Sequence, residues 1–160
     1  MKLKTKVVVV GGGPAGAIAA RSLAEYGVDV VVLERNPSFK KPCGGGISLN
    51  ALEELCIPKT VIGKEVKCIR IVSPKGEKLD IELGAGSLAI VERGKFNSAL
   101  RVEAEKQGAE IVEGNFTGLI TGKKQYQLVA NVKGEKTEIC TEYIIAADGV
   151  NSRVRSALGI

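Results

Sequence analysis

Three glycines, Gly11, Gly13 and Gly16, stand in the spacing G-x-G-x-x-G, and an acidic residue, Glu34, follows about twenty residues later. Each has a separate physical task. Gly11 permits a tight turn, Gly13 lets a pyrophosphate approach the backbone, and Gly16 lets a helix pack close to the preceding strand. Ahead of them Val7–Val10 is a β-branched run of the kind buried on both faces of a parallel sheet. Behind them Ala15–Leu23 reads as a helix whose N-terminus offers free N–H groups and a positive dipole end to phosphate. Pro14 suits its first turn, where no backbone donor is needed. The next apolar run, Val28–Leu33, ends at Glu34, where a carboxylate would meet ribose hydroxyls. A glycine turn alone is weak evidence. The order strand, glycines, helix, strand, acid makes a dinucleotide site.

The remaining reactive side chains are few. The four cysteines (Cys43, Cys56, Cys68, Cys140) form no C-x-x-C pair, and the chain has no histidine. Zinc binding and Ser-His or Cys-His nucleophiles are thereby disfavoured, and no metal site is expected. Reduced thiols are the default. Cys56, Cys68 and Cys140 lie in apolar stretches and read as small core residues. Cys43 stands apart beside Lys40 and Lys41, which would lower its thiol pKa if they face it.

A chain of 160 residues suits one domain, and 44% hydrophobic with 26% charged residues suits a soluble globular one. No apolar run reaches the roughly 18–20 residues of a membrane span. The opening MKLKTKVVVV is superficially signal-like, but its valines run straight into the glycine turn, so a cytoplasmic protein beginning at its first strand is expected. The net charge of +5 would attract an anionic cofactor or a membrane surface, so peripheral membrane contact is compatible with it. A lysine-rich solvated surface is the preferred explanation of that charge, and nucleic acid is not expected as a partner.

These residues need a scaffold. Residues 5–34 read as a βαβ unit with a right-handed crossover, and 35–47 as loop. Ser48 would cap a short helix over Leu49–Leu55, closed by Pro58. Val66–Val72 and Lys78–Leu83 read as a hairpin around Ser73–Gly76. Ala89–Val91, a helix over Gly94–Gln107 with Phe96, Ala99, Leu100 and Ala104 on its buried stripe, and Ala109–Val112 read as a second βαβ-like stretch, with Gly108 as helix stop. Thr117–Thr121, Gln125–Val132 and Thr137–Cys140 read as an antiparallel meander. Thr141–Ala147 returns to a buried strand before a helix over Ser152–Leu158. The fold class is α/β: a parallel sheet with a β-meander insertion and a hairpin reaching toward a second sheet. One domain over 1–160 is expected, its nucleotide-binding parts about 1–60 and 88–160 and its hairpin about 64–83.

Three further motifs carry a resemblance. VERGKFNSAL at 91–100 is similar to an R-x-x-F-D-x-x-L signature, with Arg93, Phe96 and Leu100 matching and Asn97 in place of Asp. IIAADGVNSRVR at 144–155 is similar to D-G-x-x-S-x-x-R through Asp148, Gly149, Ser152 and Arg155. KKPCGGGIS at 40–48 resembles a flavin-adjacent loop. Together with the glycine turn, these resemble FAD-dependent oxidoreductases of p-hydroxybenzoate-hydroxylase-like, Rossmann-type fold, and within them geranylgeranyl reductases. The resemblance covers the N-terminal half of such a protein, without its later G-D motif and substrate sheet.

The resemblance implies FAD as cofactor, with contacts from Gly11, Gly13, Pro14, Ala15, Gly16, Glu34, Arg35, Cys43, Gly44, Gly45, Arg93, Asp148 and Gly149. It implies reduction of prenyl double bonds of isoprenoid lipids by hydride from reduced flavin, fed by a reduced nicotinamide or a ferredoxin-type donor. Cys43 is the candidate proton donor or flavin-adjacent residue, with packing of the loop as its plainer role. Two alternatives stay open: an FAD-dependent aromatic monooxygenase, and a dinucleotide-binding module without independent activity.

Overall fold

The structure, a computed structural model, describes residues 2–39, 42–84, 88–122 and 125–160. In chain order its elements are β1 (Lys2–Lys4), β2 (Val7–Val10), α1 (Pro14–Glu25), β3 (Val30–Glu34), β4 (Gly46–Ser48), α2 (Leu49–Glu54), β5 (Ile62–Val66), β6 (Cys68–Val72), β7 (Lys78–Glu82) and β8 (Leu88–Val91). They continue with α3 (Arg93–Lys106), β9 (Glu110–Glu113), β10 (Asn115–Thr121), β11 (Tyr126–Val132), β12 (Glu135–Thr141), β13 (Tyr143–Ala146) and α4 (Arg153–Leu158). They form two compact units, Met1–Phe39 with Leu100–Ile160, and Lys40–Ala99. Helix α3 is divided between them.

The first unit is built on a parallel sheet ordered β13-β2-β3-β9. Its valine run is explained by what lies on either face. Val7, Val9, Val30 and Val32 pack with Ala20 and Ala24 of α1, Ala104 of α3 and Ala109. Val8, Val10, Val31 and Leu33 pack with Phe116, Leu128, Ala130 and Ile139 of a second sheet and Val154 of α4. Side chains alternate across a strand, so a strand covered on both faces cannot carry a polar residue cheaply. The second sheet, β1-β12-β11-β10, is the expected meander, with β1 added in parallel to β12.

The strand order also fixes where the site lies. From β2 the chain crosses through α1 to β3 on one side, and β13 later returns on the other. Such a reversal opens a crevice beyond the carboxyl ends of the strands, the usual ligand position in open α/β sheets.

The second unit holds a three-stranded antiparallel sheet, β4-β8-β5, with α2 against β4, and a separate two-stranded ribbon, β6-β7. The ribbon turns at Ser73–Gly76 as expected, and Arg70 grips Asp80 across it through two bonds of 2.7 and 2.8 Å. Its register pairs Ile69 with Ile81 and Ile71 with Leu79.

Several sequence expectations need correction. The stretch Ala89 to Val112 is not a βαβ unit: β8 pairs antiparallel in the second unit, while β9 lies parallel to β3 in the first. Periodicity identifies a strand but not its sheet. Val66–Val72 is divided between β5 and β6, and residues 46 and 47, expected as loop, open β4. Ser48 takes the cap position of α2 but makes no side-chain cap bond. That helix ends at Glu54, ahead of Pro58, with Leu55 as its C-cap, and Cys56 follows with φ of 50°. Cys56 and Cys68 are exposed and Cys140 half-buried, against the expectation of core residues. On β12 it is Thr137, Ile139 and Thr141 that turn inward, which puts Cys140 on the other face.

Among the described residues, no helix is long and apolar enough to cross a membrane. The core between the two sheets of the first unit yields a direct test. Leu128 is fully buried there, and Leu128→Ala should lower unfolding free energy by about 2–5 kcal/mol, read by urea denaturation. A loss below half a kilocalorie would contradict the packing described.

Candidate functional site

The glycine turn follows β2 directly. Gly11 has φ of 104°, and a Cβ there would run into the carbonyl of Ala147 and, at 2.9 Å, the Cα of Asp148. A Cβ on Gly16 would collide with the Gly11 carbonyl, so turn and helix are in mutual contact. Both positions therefore exclude any larger residue. Gly13 differs, with extended backbone and open space around its missing side chain. It caps α1, with Pro14 in the first turn as expected. The Gly11 N–H goes to the Leu33 carbonyl, and the first helical bond runs from Ala17 N–H to Gly13. The N–H groups of Gly13, Ala15 and Gly16 are left as the donors of the helix N-terminus.

Glu34 stands at the end of β3, half-buried. Its Oε2 accepts from Gly12 N–H at 2.6 Å and its Oε1 from Asn36 N–H at 2.7 Å. The carboxylate thus ties the glycine turn to the following loop while retaining lone pairs on both oxygens. Arg35 beside it is exposed.

One residue at this corner escaped the sequence reading. Arg101 donates to the Gly12 carbonyl at 3.1 Å and to the Pro37 carbonyl at 2.7 Å, joining the two loops from α3. Its only signal was a spacing of one helical turn from Asn97 inside the signature stretch.

Asp148 follows β13 in the same unit. Its Oδ2 accepts from Arg153 N–H at 2.7 Å and Val154 N–H at 3.3 Å, so it holds the start of α4. Ser152 caps that helix by accepting from Arg155 N–H at 3.0 Å, as expected. Gly149 is exposed with φ of 89°. Burial tends to raise the Asp148 carboxyl, but hydrogen bonds from Ser152 and the Val154 and Arg153 N–H groups outweigh it and leave it below its ordinary value. Among the described residues, the buried Asp148 Oδ1 has no hydrogen-bond partner. The structure therefore brings Gly11, Gly13, Pro14, Ala15, Gly16, Glu34, Asp148 and Gly149 together at one end of one sheet.

The other candidates belong to the second unit. Gly45 is buried, has φ of 71°, and a Cβ there would lie 2.5 Å from the Val91 carbonyl. Its own carbonyl accepts from Val91 N–H at 2.9 Å, so the 43–45 loop is fixed to the strand that leads into Arg93. Cys43 is exposed, and its Sγ accepts from Gly45 N–H at 3.3 Å. Gly44 is exposed with open space around it. The expected influence of Lys40 and Lys41 on Cys43 lies outside the described residues. Arg93 opens α3 with its guanidinium over the Phe96 ring, 5.4 Å from the centroid.

The state of Asp148 predicts a pH effect. A carboxylate held below its ordinary pKa stabilises the fold above about pH 4, and that contribution fades as the pH falls through the lowered value. Wild type should exceed Asp148→Asn in unfolding free energy by a constant margin at neutral pH. In acid-range urea melts the margin should shrink below about pH 4; a margin that widened there would refute the assignment.

A family model described as an FAD binding domain matches residues 4–160. The chloroplastic geranylgeranyl diphosphate reductase of Oryza sativa subsp. japonica is 36% identical over 98% of this chain and 37% of its own length. The digeranylgeranylglycerophospholipid reductase of Methanocella arvoryzae is 35% identical over 100% of this chain and 43% of its own. The chain thus spans about two fifths of the length of these curated relatives. Among solved structures, a geranylgeranyl bacteriochlorophyll reductase-like protein of Thermoplasma acidophilum superposes with a TM-score of 0.91 at 29% identity, covering 100% of this chain and 43% of that one. The p-nitrophenol 4-monooxygenase of Pseudomonas putida, at 20% identity and a TM-score of 0.82, shares the fold. Nearly the whole chain being matched, it belongs to the FAD-binding domain family.

Proposed function

We propose that this chain is the FAD-holding part of an oxidoreductase that saturates prenyl double bonds of isoprenoid lipids, in the manner of the geranylgeranyl reductases it is similar to. The observation that carries the proposal is the meeting of the glycine turn with the Asp148 corner at the strand-order reversal. A side chain on Gly11 is excluded there, and the space beside Gly13 is open. A ligand with both anionic and hydroxyl groups suits such a corner. Free N–H groups at the start of α1 favour a diphosphate, Glu34 has acceptor capacity for ribose hydroxyls, and the unpartnered Asp148 Oδ1 offers a further acceptor.

In this reading Gly13, Pro14, Ala15 and Gly16 form the phosphate cradle, with Arg35 beside the ribose and Gly149 allowing close approach at the second corner. Gly44 and Gly45 let the loop lie against a flat ring, and Arg93 contributes a positive charge to polar cofactor atoms. Bound FAD in its reduced form supplies the hydride for one alkene carbon. The chain's task is to place the other carbon near a proton source, for which Cys43 Sγ is the candidate. The alkene sits in a lipid, so contact with a membrane surface follows, aided by the net charge of +5. A reduced nicotinamide or a ferredoxin-type protein would recharge the flavin. The reductase reading is preferred to the monooxygenase one because the monooxygenase likeness is one of fold.

The first test is flavin retention. After incubation with FAD and dialysis, the chain should keep a flavin absorption spectrum. Glu34→Ala should weaken affinity by about tenfold to a hundredfold, the worth of hydrogen bonds to a charged group. A colourless wild-type protein would end the proposal. The second test follows the lipid by mass spectrometry, using chemically reduced, FAD-loaded protein and a geranylgeranyl lipid. Two hydrogens should be gained for each double bond saturated. Cys43→Ser should hold FAD normally but slow that gain; full activity in the variant would remove the cysteine from the proton path.

A further inference from the structure

Among the described residues, two buried polar atoms on α3 have no hydrogen-bond partner: Arg93 Nε and Asn97 Oδ1. Asn97 is only 8% exposed. Leaving a buried donor or acceptor unsatisfied is costly, so each such atom in a folded protein calls for an explanation. One atom could be an accident of local packing. These are two, one a donor and one an acceptor, and they lie one helical turn apart, a spacing that puts side chains on the same face with Cβ atoms about 5–6 Å apart. Phe96, under the guanidinium, restricts how Arg93 can turn.

We infer that Arg93 and Asn97 together receive one hydroxyl group of the bound cofactor, Arg93 Nε–H donating to its oxygen and Asn97 Oδ1 accepting its proton. The inference rests on the FAD reading above and adds to it the chemical kind of group held here. A phosphodiester oxygen only accepts at neutral pH. It would satisfy Arg93 and leave Asn97 Oδ1 facing another electronegative atom. A hydroxyl both donates and accepts, so it satisfies the two atoms at once. Asn97 stands where the resembling signature has Asp, and the feature common to the two side chains is an acceptor oxygen. FAD carries hydroxyls in two places, on the adenosine ribose and on the ribityl chain, and the same chemistry serves either.

The test uses the 160-residue chain, titrated with FAD and with ADP-ribose, which lacks the flavin and its ribityl chain. Asn97→Ala and Asn97→Leu should each weaken FAD binding about three- to tenfold, the worth of one hydrogen bond. Asn97→Asp keeps the acceptor and should stay within about threefold of wild type. An added negative charge beside a phosphate would instead abolish binding. In the ligand-free chain Asn97→Leu should not lower the melting temperature, since it removes an unpaired polar atom. Equal weakening toward FAD and ADP-ribose would assign the hydroxyl to the adenosine ribose, and weakening toward FAD alone to the ribityl chain; both support the inference. Unchanged FAD affinity in the alanine and leucine variants, or lost affinity in the aspartate variant, overturns it while leaving the FAD reading intact. A wild-type chain that binds no FAD overturns both.

Discussion

The site depends on how closely two backbones approach. At the end of β2 the chain must turn in a conformation with φ of 104°, and the carbonyl of Ala147 occupies the volume where a side chain would begin. The carbonyl of Gly11 in turn fills the same volume at Gly16. The glycine turn therefore touches both the start of α1 and the sequence-remote Ala147 through main-chain atoms. Side chains with rotamer freedom would blur such a contact; bare backbone makes it rigid.

Around that contact the polar groups act as ties between loops. Glu34 holds Gly12 and Asn36, Arg101 holds Gly12 and Pro37, and Asp148 holds the first residues of α4. These bonds set the shape of the corner before any ligand arrives. Preorganisation of this kind reduces the ordering cost of binding. Glu34 is thus at once a candidate ribose contact and a part of the scaffold.

Much of this was legible in the sequence because the responsible signals are local. Four valines without a polar interruption required cover on both faces, and alanines on one side with Phe116, Leu128 and Ile139 on the other supply it. The glycine spacing and the Ser152 cap were read correctly for the same reason. What stayed hidden was non-local. Nothing in Ala89–Val91 reveals that it pairs antiparallel with β4 and β5, since the pattern is the same in either sheet. Arg101 looked like one more charge on a helix because its two carbonyl partners lie far away in sequence. Cys56 and Cys68 looked apolar by their neighbours, yet both are exposed, one just past the end of α2 with a positive φ and the other on a ribbon strand that is exposed along most of its length.

The position of β2 between β3 and β13 has a consequence for how the molecule is made. Thr141 bonds to the Lys6 carbonyl across a separation of 135 residues, and β13 joins β2 immediately afterwards. During synthesis the valine strand emerges early, and its partner on one flank, β13, is translated only after β3 to β12. Contacts closing such long loops form slowly, and unpaired apolar strands adhere to other nascent chains meanwhile. The valine strand should accordingly need chaperone cover at the ribosome until β13 has been made.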